Sequence, residues 1–182
     1  MRMLTIPVLL ISLVMAGPAP AQHGSHGGHQ DQDGAPVSGH QEARRCIESF
    51  DRVVADGRGF GMAFAADRHG YPGPLHVLEL GDALGLSPSQ TSQVRALETA
   101  MLTESRPRSA ALLAAERRLD ALFTSGRATE ADLSSLVAEV ERHRGEVRLV
   151  HLRYHLKTRD LLTEQQRLVY HERRWGGRGA NR

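Results

Sequence analysis

Ten histidines are scattered through this 182-residue chain, and two of them fall within five residues, in "HLRYH", His151 to His155. The surrounding stretch, "GEVRLVHLRYHLKTRDLL", reads as helix. With each helical residue advancing about 100°, and Val140 taken as zero, His151 falls at about 20° and His155 at about 60°. Val147 and Tyr154 lie within about 40° of the same origin, so both imidazoles sit in the apolar seam and not on a solvated face. Their Cα atoms are separated by about 6 Å along the axis, a spacing that lets two ring nitrogens converge on one metal ion.

Glu98 has the same unusual placement on another helical stretch, between Val94 and Met101. A carboxylate in a seam is costly unless it is paired or bound to metal. His76 lies beside Leu80 and Ala83 on the inward edge of a shorter helix. Three helices therefore bring nitrogen or oxygen donors, His76, Glu98, His151 and His155, toward one place. Imidazole and carboxylate suit a divalent transition ion, with zinc, nickel, cobalt and copper the candidates. The competing physical reading makes the histidines hydrogen-bonded core residues, pairs Glu98 with Arg144 or Arg148, and uses His76 as a plug at a helix–loop junction. No nucleophile–base–oxyanion constellation is present, so no enzymatic activity is expected.

The elements that must position these residues are all helical. Only 4% of residues are aromatic, which excludes a large globular core, and Leu, Ala, Glu and Arg dominate the second half, the composition of long helices. "LSPSQ" supplies Ser87 as N-cap, Pro88 as first residue and Gln90 for a capping box, starting a helix that runs to about Phe123 with a kink expected at Pro107. After the turn "TSGRATEAD", Thr129 and Asp132 resemble a second box, and a helix runs from about Glu130 to Leu161. Thr163 and Gln166 in "LLTEQQ" repeat the device for a last short helix. Two helices of some thirty residues with a short connection predict an antiparallel hairpin. Shorter helices flank it, "EARRCIESFDRVVAD" and "PLHVLELGDALG", the latter ending at Gly85, with an ordered loop, "GRGFGMAFAADRHGYPGP", between them. A lone hairpin buries little, so a homodimer is expected.

The N-terminus, "MRMLTIPVLLISLVMAGPAPAQ", reads as a secretory signal ending in an Ala-x-Ala site at Ala21, which implies export to a periplasm and no membrane span in the mature chain. Residues 22–41 read as a disordered polar tail whose His23, His26, His29 and His40 suit weak metal binding. The helical domain spans 42–175, and 176–182 form a flexible tail. Cys46 is expected to be a small buried residue. Arginine is interleaved with acid along the helices at a net charge of +2, a solvated surface with no nucleic-acid stripe.

"LGLSPSQTSQV" and "LLTEQQRLVY" resemble the paired L-T-x-x-Q motifs of the Spy/CpxP superfamily, the first with Ser87 in place of Thr. The resemblance covers about Pro74 to Trp175 and implies an exported, all-α, hooked-hairpin homodimer. It implies either metal sensing or resistance, as in zinc-resistance-associated proteins and CnrX-type nickel/cobalt sensors, or ATP-independent chaperoning of unfolded clients, or an envelope-stress role touching a membrane signalling partner. "LVHLRYHL" is most similar to the CnrX-type sensors. There His151 matches the ligand His, His155 stands where the sensors carry Met, and Glu98 falls where they carry Glu. The sensors have two first-helix histidines four apart, whereas this chain has His76 alone, one position out of register, with Leu80 in the next turn.

Overall fold

The computed structural model describes residues 39–176, and every regular element among them is helical. α1 is Gly39–Ala55, α2 Phe64–Asp67, α3 Pro74–Glu79, α4 Gly81–Leu84, α5 Pro88–Thr124, α6 Glu130–Leu161 and α7 Glu164–Trp175. The segment read as a secretory signal, most of the tail with His23, His26 and His29, and residues 177–182 lie outside the described residues. α1 starts at Gly39, so His40 and Gln41 belong to a helix and not to the tail.

The start signals act as the sequence predicts. Ser87 Oγ accepts from the backbone N–H of Gln90 while the Gln90 side chain accepts from the N–H of Ser87, and Thr163 and Gln166 repeat this at α7. Thr129 caps α6 with its oxygen, but its hydroxyl donates to the Asp132 carboxylate, so there is no reciprocal box there. The two boxes also meet. The side-chain amides of Gln90 and Gln166 donate to one another's oxygens at 2.9 and 3.1 Å, and Gln90 further donates to the carbonyl of Leu161 at 2.9 Å. Each glutamine thus closes its own cap and ties the start of α5 to the α6–α7 junction.

Contacts between the long helices pair rising numbers on α5 with falling numbers on α6: Glu104 with Arg153, Glu116 with Arg144, Arg118 with Glu139. Between these polar edges runs the expected seam, with Met101 against Val150 and Tyr154 in one cluster and Leu112 and Leu113 with Val140 and Val147 in another. α1 contributes Val54 to the second cluster and leaves Ile47 62% exposed. Cys46 is exposed as well, which corrects the expectation that it is buried: only the C-terminal half of α1 reaches the core, and Cys46 precedes it. α5 continues through Pro107.

Two details of the segment between α1 and α5 depart from the sequence reading. The connecting loop contains the single turn α2, and "PLHVLELGDALG" divides at Leu80 (φ −102°, ψ 11°) into α3 and α4. Gly85 adopts the expected left-handed conformation. A buried carboxylate pins the loop: Asp67, 2% exposed, accepts from Tyr170 Oη at 2.5 Å and Arg174 Nε at 2.7 Å on α7. Burial and this bond push the Tyr170 hydroxyl far above its usual range, so it acts as a permanent donor.

Candidate metal centre

His151 and His155 are both buried, as their seam position requires. His151 Nδ1 lies 3.0 Å from the carbonyl of Val147, one turn back on α6, and His155 Nδ1 lies 2.6 Å from the carbonyl of Tyr71 in the loop. Carbonyl oxygens only accept, so in both rings Nδ1 must carry the proton and Nε2 the lone pair. His76, half-exposed on α3, places Nδ1 2.9 Å from Glu79 Oε2 and leaves Nε2 as its open nitrogen. In all three rings one nitrogen is committed to an oxygen, the arrangement that orients metal-ligating imidazoles and raises their basicity.

The three histidines line one cavity of about 350 Å³, together with Met101, Arg58 and Arg174. His151 Nε2 is buried and has no hydrogen-bond partner. The Gly57 carbonyl is near enough to favour a charged ring, yet no bond of ordinary geometry reaches that nitrogen. Burial pushes His151 below its usual imidazole range, against the Val147 and Gly57 carbonyls. Burial does the same to His155; Tyr71 and Asp67 oppose the shift, and the charges of His151 and His76 reinforce it. Neutral rings are the form that binds metal.

The loop closes over both rings through two glycines. A Cβ on Gly59 would stand 2.8 Å from His151 Cδ2, and one on Gly73 would stand 2.7 Å from His155 Nε2, both too close for any side chain. Gly59 and Gly73 pack directly on the two rings, and the sequence reading passed over them as loop-breakers. Their signal was present only as glycine in a segment of uncertain path.

Glu98 is half-buried on α5, is not part of the cavity wall, and has no hydrogen bond or ion pair among the described residues. The rival pairing with Arg144 is absent too, since that arginine reaches Glu116 at 2.5 Å and Glu141 at 3.6 Å. The residue that does enter the cavity from α5 is Met101, one turn further on. No three His, Cys, Asp or Glu side chains among the described residues are already gathered around a single point. No family model, curated protein or solved structure matches the chain.

Proposed function

We propose that this is an exported, periplasmic protein that binds a transition-metal ion and serves metal sensing or resistance. The observation that supports it most is the uniform commitment of Nδ1 to oxygen in His76, His151 and His155, three residues lining one cavity, which leaves each ring an Nε2 lone pair, that of His151 buried and unpartnered. His151 and His155 are the fixed donors, because both stand on the long helix α6. His76 belongs to the short helix α3, and an ion shared with it ties α3 and its loop to α6. Glu98, expected as a ligand from its seam position and from the resemblance, takes part only if α5 or its side chain turns toward the cavity. The ion supplies no reaction here; its binding energy stabilises the closed loop. On this reading the chain is a hooked hairpin that pairs as a homodimer, and α1, which leaves Ile47 exposed, would pass closure on to a membrane partner. The test is metal retention: wild-type protein and His151→Ala/His155→Ala are equilibrated with chelator-buffered zinc and then analysed for bound metal. One tightly held equivalent should disappear in the variant; equal retention rejects the site.

One feature favours a second reading, an ATP-independent chaperone. A groove of about 770 Å³ is lined by Phe50, Phe60, Met62 and Leu113, with Arg117 and Arg148 at hand. Such an apolar surface, edged by Arg117, Arg144 and Arg148 together with Asp51, Glu116 and Asp120, suits apolar stretches of unfolded segments. Suppressed aggregation of a denatured client by metal-free protein, unchanged in the double histidine variant, would favour it.

A further inference from the structure

The cavity has an unusual donor inventory. Its nitrogen donors are three imidazoles with Nδ1 committed to an oxygen, and beside the Asp67 carboxylate the remaining side-chain donor on its wall is the thioether of Met101, 5% exposed on α5. Neither nearby carboxylate is free: Asp67 is held between Tyr170 and Arg174, and Glu79 is bonded to His76. Arg58 adds positive charge to the same wall, while Arg174 and Asp67 offset one another. A dication placed there would meet only carboxylates already bonded to other groups, in a site where the desolvation cost of an ion grows with the square of its charge. Zinc sites draw on thiolate, imidazole and carboxylate, whereas soft thioethers select monovalent copper.

We propose that Met101 is the fourth donor of this cavity and that its Sδ, joined to the imidazoles of His76, His151 and His155, makes the site selective for Cu(I). The inference rests on the metal reading of the cavity and specifies the ion it prefers. It places the sulfur on α5, in the position that the sequence assigned to Glu98 three residues earlier. Met101 also packs against Val150 and Tyr154, so its side chain is held at the cavity by the core and not by a mobile loop. Its unbranched, polarizable chain can turn the sulfur toward an ion without disturbing that packing.

The experiment uses the full-length chain carrying Cys46→Ser, which removes the exposed thiol as a competing copper ligand. Cu(I) and Zn(II) affinities are measured by competition with chromophoric chelators, for this protein, for Met101→Leu and for His151→Ala. Leucine conserves the volume that packs the core. Met101→Leu should weaken Cu(I) binding at least about tenfold, since even loss of an orienting outer partner costs that much, and should leave Zn(II) affinity nearly unchanged. X-ray absorption at the copper edge should show a sulfur neighbour that Met101→Leu abolishes. Selenomethionine protein, which needs no substitution at all, should show copper–selenium scattering. Equal Cu(I) affinity in Met101→Leu, or copper spectra with nitrogen neighbours alone, overturns the role of Met101 while leaving the imidazole site intact. If His151→Ala binds both ions as tightly as its parent, the metal reading itself fails, and this inference with it.

Discussion

An imidazole buried beneath a glycine-lined loop loses the water that stabilises its charged form, and this links folding to pH at His151 and His155. Both lie below the ordinary value of 6.5 when folded, so near and below that pH the unfolded chain binds more protons than the folded one. Their contribution to stability is therefore complete above about pH 6.5 and is lost as pH falls toward the folded values. Thermal midpoints of the metal-free protein should drop between about pH 8 and about pH 5, and His151→Gln/His155→Gln should flatten that drop. An equal slope in the variant would place the acid sensitivity elsewhere. The burial of both rings was legible from a period of 3.6 residues alone. Their hydrogen-bond partners were not, because Tyr71, Gly59 and Gly73 reach them through a loop whose path no periodicity encodes. The same blindness explains Glu98 and Met101: one helical turn separates them, and the angle that places both in the seam does not say which one meets the cavity.

At the scale of elements, the paired capping boxes carry more than two helix ends. Thr163→Ala should cost about 1 kcal/mol in urea unfolding, the ordinary value of an N-cap. Gln166→Ala should cost more, because it opens the α7 box and also removes one of Gln90's two partners across the fold. Combining it with Gln90→Ala should give a non-additive total, with a coupling of at least about 0.5 kcal/mol. Strict additivity would mean that the amide clasp contributes nothing beyond the caps. The caps, both long helices and α7 could be read from the sequence because Ser/Thr-x-x-Gln and Pro at the first position act within one turn. The clasp could not, since it joins residues 76 apart. Nor could α2, a single turn, or the break at Leu80, where the sequence "LELGDALG" continues a helical pattern that the chain does not follow. Cys46 was misjudged for a related reason: residue type favours burial, but only the far half of α1 finds a core to enter.

For the whole molecule, α5–α7 with their caps and clasp form a base, and the segment from the loop after α1 through α3 lies over it. No helix among the described residues is long and apolar enough to cross a membrane. Asp67 holds the overlying segment to α7, and the histidines meet it from below. An ion shared by His76 and the α6 pair should tighten this segment first. Amide exchange from Phe60 to Leu84 should slow on adding metal, while the centre of α5 stays unchanged, and His76→Ala should abolish the slowing without removing binding at α6. The most direct test of the central claim is imidazole nitrogen NMR of the full-length chain, recorded without metal and at one equivalent of zinc. The account predicts that His151 and His155 are protonated at Nδ1 in both states, with their Nε2 resonances, and that of His76, shifting as the ion binds. Unmoved Nε2 resonances in His151 and His155, with shifts confined to His23, His26 and His29, would contradict it.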